Sequence, residues 1–436
     1  MLTIALVKPY GDISIGDLVA EAGVSKQTFY ELFADRDACF AAAYRHAAAM
    51  LLGPVAAVVA EAEWDRVPEL AMRELLGVCE RQPQCAWLFF IQGLAGASRM
   101  QAERDVAFAA FEQLANRFLD GAPADGITLD APPVALVGAV RGLIATYLLS
   151  SQADLLCTLA GELAGWMVSY AAPASRPRWS ASDHVTLPAP RLARLPQTLL
   201  PRPQRLPSKH SLPESLVTRN RRTRLIHATA QAALEHGYQR IRVADIVRSA
   251  GIAKDDFYKH FKNTADAFAA TQAYAATETL TLCAEAYFTG ADWVDRVWRA
   301  LLMLTTLMSR EPALAHVRLV EPYAAGPQAI ERQQEMIDTY TIFLREGYLQ
   351  AKASSRPPEI YVAAISGGIF ELLRREIAAG NTGRLPCQLP TLTYIATAPF
   401  IGAEKAAARI DELAAEHREC GDHRPAGDGN QPAVPA

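Results

Sequence analysis

The sequence predicts an all-α chain of two helical units in tandem, and three observations predict it. One short signature occurs twice, 228 residues apart. Half of the residues are apolar, rich in Ala, Leu and Val, with little of the strict alternation that marks strands. A run of Pro, Arg, Ser and Leu across 173–213 divides the chain. At 436 residues the length suits about two or three domains, each large enough to bury its own core.

The signature reads as two short helices joined by a tight turn. In the first copy Ile15, Leu18, Val19 and Ala22 recur at helical spacing, Gly23 breaks the period, and a second helix starts at the N-cap residue Ser25. The second copy repeats the design with Val243, Ile246, Val247 and Ala250, then Gly251, then a helix from Lys254. Between Tyr10/Tyr238 and Ala42/Ala270 the copies agree at 13 of 33 positions, all but Asp17/Asp245 and Lys26/Lys254 on apolar, Gly and aromatic sites that a fold would dictate. A crossed reversal of two helices needs a residue that accepts the left-handed conformation, and glycine occupies that place in both copies. The second helix of the first pair is expected to turn Phe29, Tyr30 and Phe33 inward and to leave Lys26, Gln27 and Thr28 on its outer, N-terminal face. That face is the one helix-turn-helix motifs insert into a major groove.

The combination of Ala22-Gly23-Val24-Ser25, the Thr28-Phe29-Tyr30 helix, Phe33 and the charged stop Asp35-Arg36-Asp37 resembles the TetR family of bacterial transcriptional regulators. Behind each motif lie roughly 140 residues of helical pattern, the amount in which that family builds its regulatory domain. The resemblance divides the chain into a first helix-turn-helix domain at 1–44, a helical regulatory domain at 45–172, the linker 173–213, a second helix-turn-helix domain at 214–270, a second regulatory domain at 271–420 and a disordered tail at 421–436.

The remaining elements follow from periodicity and Pro/Gly punctuation. Helices are expected near 37–63, 65–81, 86–93, 98–119, 132–151 and 155–171 in the first half, and near 265–288, 292–310, 312–320, 328–352, 357–379 and 390–419 in the second. A full leading helix is expected at 214–236, with Leu225, Ile226, Thr229, Ala232 and Ala233 inward. Before the first motif only Met1 to Lys8 stand in its place, as if about ten residues of that helix were missing. The linker's basic residues, Arg176 to Lys209, face one acid, Asp183, and suit either nonspecific phosphate attraction or a solubilising spacer.

The two recognition helices differ. The first offers Ser25, Lys26, Gln27, Thr28 and Tyr30, a donor-rich set for base edges and phosphates. The second offers Lys254, Asp255, Asp256, Tyr258, Lys259 and His260, whose adjacent carboxylates repel phosphate unless one accepts a cytosine amino group or caps the helix. The flanks reverse the ranking. Residues 219–262 hold ten basic against four acidic side chains, whereas 8–37 hold three against six, a contrast hidden in the overall charge of −4. By the resemblance, Tyr30 and Tyr258 reach phosphates, Arg36 stands for a phosphate-touching lysine, and Arg242 replaces a usual Thr or Ser. The alternative for the tyrosines is a place in the core of each three-helix module.

The family's larger domain binds a small molecule and dimerises through its last two helices. Candidate pocket residues are Trp87, Phe90, Phe111 and Tyr147 in the first half and Trp298, Met303, Tyr340, Phe343 and Phe370 in the second, each otherwise an ordinary core residue. Gly138, Gly142, Gly161, Gly165, Gly367 and Gly368 lie within late helices and permit close helix packing. The halves are expected to pair internally as a pseudodimer, or alternatively each with its twin in a second chain.

Other functions lack their motifs. There is no Gly-rich phosphate loop, no Gly-x-Ser-x-Gly elbow and no metal-spaced His/Cys/Asp set, so neither enzyme activity, cofactor nor metal is expected. Seven scattered cysteines without a Cys-x-x-Cys pair suit a reducing cytoplasm. No secretory leader pattern is evident, and the uncharged apolar windows, such as 50–60 with its Gly53-Pro54 break, are too short for a bilayer. The resulting expectation is a cytoplasmic, ligand-responsive repressor of a double-stranded DNA operator. The rival is a non-enzymatic sensor or dimerisation partner whose motifs survive as structure only.

Overall fold

The computed structural model describes residues 1–8, 10–93, 98–120, 127–129, 131–173, 213–351 and 356–422. The linker expected within 173–213 and the tail expected at 421–436 therefore lie almost wholly outside the described residues. What is described is helical, apart from one antiparallel pair in which Ile127–Leu129 faces Ala171–Pro173.

Element order repeats along the chain. Arg36–Glu61, Val67–Arg81, Pro133–Leu149 and Ala160–Val168 have counterparts in Thr264–Tyr287, Trp293–Arg310, Ile360–Ala378 and Leu389–Ile401, each starting 226 to 229 residues later. Even a seven-residue 3₁₀ stretch recurs, Ala153–Leu159 and Thr382–Gln388. Local chemistry explains the starts. Asp35, Asn263 and Asp292 cap their helices by accepting the N–H of Ala38, Asp266 and Asp295 at 2.7 to 3.0 Å. Prolines open the first turns of Val67–Arg81, Pro133–Leu149, Pro312–Leu319 and Pro327–Tyr340, where their missing N–H is harmless.

Several expected helices are divided: 86–93 falls into Pro83–Trp87 and a π turn at Leu88–Gln92, and 155–171 into the 3₁₀ stretch Ala153–Leu159 and the helix Ala160–Val168. The stretch 328–352 is divided into Pro327–Tyr340, Ile342–Arg345 and Gly347–Gln350. The stretch 390–419 breaks at Gly402, whose φ of 90° ends Leu389–Ile401 before Ala403–Asp422 begins. By contrast, Arg36–Glu61 continues straight through Pro54, so Gly53-Pro54 is not a break. This helix corrects the reading of the apolar windows, because it is long and apolar enough to cross a membrane by length and composition. Its Phe40, Tyr44, Ala47, Leu51 and Val55 form one stripe buried inside the protein.

The halves meet chiefly where Pro133–Leu149 and, to a lesser extent, Ala160–Val168 pack on Ile360–Ala378. Pro133–Leu149 lies directly on Ile360–Ala378, with glycines where the backbones touch: a Cβ on Gly138 would sit 2.2 Å from Cβ of Glu371, and one on Gly367 3.3 Å from Cα of Ala139. Beside them, the Tyr170 hydroxyl donates to the Ile395 carbonyl at 3.0 Å, and the Tyr394 hydroxyl donates back to the Tyr170 carbonyl at 3.4 Å. Gly165 also belongs to this contact, 3.0 Å from the Tyr361 hydroxyl by the same measure, whereas Gly161 faces open space. One apolar core runs through both regulatory halves and the first helix-turn-helix. The second helix-turn-helix has a core of its own, built on Leu225, Ile246, Phe257, Phe261 and Phe268 and closed by Leu314 and Val317.

Candidate nucleic-acid interface

Each module places its second helix by the same means. Ile15–Ala22 ends at Gly23 with φ 65°, and Val243–Ala250 ends at Gly251 with φ 60°, the left-handed values a side chain resists. Lys26–Leu32 and Lys254–His260 then begin, anchored by the buried rings of Phe29 and Phe257. On the opposite faces Tyr30 is 57% exposed and Tyr258 51% exposed, so neither tyrosine is a core residue of its module. Each ring stands edge-on to the phenylalanine before it, at 5.5 and 5.3 Å between centroids. Ser25, Lys26 and Gln27 are exposed beside Tyr30, and Lys254, Asp255 and Lys259 beside Tyr258.

The starts of the two helices differ. The Ser25 hydroxyl accepts the Thr28 N–H at 3.1 Å, while Ala253 occupies the same position without any side-chain cap. One helix earlier, Ser14 and Asp17 form a reciprocal capping box, with Asp17 also 2.6 Å from Lys8. Lys8's hydrogen bond and those of Ser14 hold the Asp17 carboxyl well below the usual carboxylate range. In the second module Arg242 replaces the capping serine and stays exposed.

The adjacent carboxylates of the second helix have unlike surroundings. Asp256 pairs with Lys259 at 2.8 Å and with Arg221 at 3.3 Å, and these partners lower its pKa, Lys259 foremost. Its charge is thus offset within the module, which leaves Asp255 as the exposed carboxylate of the pair. His260 is half-buried, and burial together with Arg222 pushes it below the usual imidazole range.

Several basic residues turn out to hold the modules together. Arg36 donates to the carbonyls of Tyr10, Gly11 and Ile13 at 3.0 to 3.4 Å and stacks 4.5 Å over the Tyr10 ring. Its guanidinium faces the turn before the motif, an inward placement at odds with the expected phosphate contact. Arg222 donates to the His260 carbonyl at 3.2 Å and lies 4.6 Å over the Phe261 ring, and Arg224 donates to the carbonyls of Ala250 and Gly251. Charge counting overestimates the free basic surface here, because an arginine's planar fork suits backbone carbonyls as well as phosphates.

Each larger helical half contains a small apolar cavity of about 40 Å³. In the second half Tyr340, Phe343 and Phe370 line it, while Trp298 and Met303 are core residues off its wall. In the first half Phe111 lines the cavity and neither Trp87 nor Tyr147 does; Phe90 instead faces a third space between the halves. The buried Arg318, outside the cavity lining, donates to the hydroxyls of Thr279 at 2.8 Å and of the cavity-lining Tyr340 at 3.1 Å. Sequence reasoning passed over Arg318 because one arginine in a helical stretch looks like surface.

Exposed recognition helices set on buried aromatic anchors define a helix-turn-helix protein. Residues 225–271, within the second module, match the family model described as "Bacterial regulatory proteins, tetR family". Among solved structures, the chain is similar to the fatty acid degradation regulator FadR from Bacillus halodurans, at 17% identity and a TM-score of 0.37 over 40% of this chain and 94% of that one. It is also similar to FadR from Bacillus subtilis, solved with stearoyl-CoA (16%, 0.36, 40% and 96%), and to a TetR family regulator from Marinobacter aquaeolei VT8 (14%, 0.33, 47% and 97%). No curated protein matches the chain.

Proposed function

We infer that the chain is a sequence-specific DNA-binding transcriptional regulator with two reading heads, and that its two units arose by tandem duplication. The observation that carries this is the repeated surface: Lys26 and Tyr30, and 228 residues on Lys254 and Tyr258, stand exposed over buried Phe29 and Phe257. The contact of Pro133–Leu149 with Ile360–Ala378 favours an internal pseudodimer. Because the heads carry different residues, the operator is an asymmetric site on double-stranded DNA. The apolar cavities support regulation by a small ligand in the cytoplasm, acting as an inducer that relieves repression.

A second reading is favoured by Arg36 and the acidic flank of the first motif. In it the first copy is structural and only the second binds DNA. Binding of the purified chain to DNA upstream of its own gene and its neighbours, across a salt series, separates the readings. Loss in both Lys26→Ala/Tyr30→Phe and Lys254→Ala/Tyr258→Phe supports two heads, and loss in the latter alone leaves one. No specific binding by the native chain overturns the regulator and leaves a sensor or partner protein.

A further inference from the structure

Helical geometry sorts the side chains of the two recognition helices. Residues two apart lie about 200° around an α-helix, so Asp255 stands almost opposite the buried Phe257, and Gln27 almost opposite the buried Phe29. These two exposed side chains hold the middle of each outward face, at equivalent places 228 residues apart. Asp256, nearer the flank, is drawn to Arg221 on the leading helix at 3.3 Å and to Lys259 at 2.8 Å. Asp255 has no hydrogen bond or ion pair among the described residues. Gln27 donates from Nε2 to Glu31 at 3.2 Å, which leaves its Oε1 and second N–H available.

Against a major groove, these two side chains select different bases. A carboxylate only accepts, so the O6 and N7 acceptors of guanine and the O4 of thymine repel it. Adenine has a 6-amino donor but sets the N7 acceptor next to it, whereas cytosine presents its 4-amino donor with no acceptor of its own alongside. A carboxamide both donates and accepts, which matches the adenine pair. An acid in the first turn of a helix also favours the helix dipole. That second role is indifferent to base sequence, so the two can be told apart.

We propose that Asp255 is the base-selecting residue of the second head and accepts the 4-amino group of a cytosine, at the place where Gln27 of the first head pairs with an adenine. The inference rests on the DNA-binding reading above and extends it: the half-sites differ at this base pair, and the second head rejects guanine there.

Selection of bound duplexes from a random-sequence pool by the full chain, followed by competition binding at one fixed salt concentration, tests it. The native chain is expected to enrich two unlike half-sites. Asp255→Gln should exchange one selected cytosine for adenine and leave the other half-site as the native chain selects it. Gln27→Asp should make the reverse exchange in the other half-site. Turning that C·G pair into G·C should weaken the native chain roughly fivefold or more, and Asp255→Ala by less than about twofold. Selection of the same sequence by the native and Asp255→Gln chains overturns the proposal, and tighter binding of every duplex by that variant would mark Asp255 as a first-turn charge only. Enrichment of no sequence by the native chain overturns the DNA-binding reading itself, a result distinct from enrichment that ignores position 255.

Discussion

Glu321 accepts the backbone N–H of Tyr238 at 2.6 Å, just as Gln92 accepts that of Tyr10 at 3.0 Å in the first half. Both bonds tie the regulatory layer to the short 3₁₀ turn that leads into a helix-turn-helix. A displacement of the regulatory helices therefore reaches each head through one side chain as well as through the long helix behind it. Glu321→Ala should leave the Tyr238 N–H without its partner and cost about 1–3 kcal/mol locally. Hydrogen exchange should show the loss of protection confined to 238–261. Glu321→Gln should restore most of it, since a carboxamide already serves in the first half.

The exposed lysines and tyrosines give a prediction in salt. Removing one phosphate contact lowers the slope of log K against log salt by roughly one unit. Lys254→Ala should show this reduction in anisotropy titrations, and Arg222→Ala should instead lower the melting temperature, because Arg222 spans a carbonyl and an aromatic ring. Equal salt slopes for native and Lys254→Ala chains would remove that lysine from the DNA contact.

Capping chemistry separates the recognition helices. Ser25→Ala should destabilise the first module by about 1 kcal/mol, and Ala253→Ser should stabilise the second by a similar amount, because position 253 already has the extended backbone of a cap, φ −68° and ψ 150°. Denaturant melts of the single variants decide the matter.

The seam is sensitive to volume at selected glycines only. Gly138→Val places atoms where Glu371 already stands, so a loss of at least 1–3 kcal/mol is expected together with faster proteolysis between the halves. Gly161→Ala serves as the internal control; its Cβ meets nothing, and removing a helical glycine should stabilise by about 0.5–1 kcal/mol.

Acid should act on the same seam. Burial alone would raise the Glu371 pKa, but Arg374 and Arg141 more than offset it and hold the carboxyl at about 2. A folded-state value below the unfolded one contributes stability that is complete above the ordinary glutamate range, near about 4.3, and is lost as pH falls toward 2. The native melting temperature should fall across that interval, and Glu371→Gln should flatten the dependence. An unchanged profile in the variant would place the acid sensitivity elsewhere.

The all-α class and most helix limits were legible, because caps and glycine stops are local and their chemistry needs no tertiary context. Asp35, Asn263 and Asp292 announce their helices on their own. The heads were legible in part: Phe29 and Phe257 mark the inward face, but Tyr30, expected inward beside Phe29, is 57% exposed, because adjacent helical residues point about 100° apart. What sequence could not give was the destination of long cations. Arg36, Arg222 and Arg224 look like phosphate ligands and instead hold backbone carbonyls, while Arg141 and Arg318 look like surface and are buried. A guanidinium reaches several ångströms from its own helix, so its partner is decided by packing between segments that here lie from 22 to 230 residues apart.

The glycine-lined contact between Pro133–Leu149 and Ile360–Ala378 has a consequence for copy number. A regulator assembled from separate subunits falls apart when a cell holds few of them, and its occupancy then varies as the square of its abundance. Here both surfaces travel on one polypeptide, so their association is independent of dilution. Each molecule carries the contact between its halves within one chain.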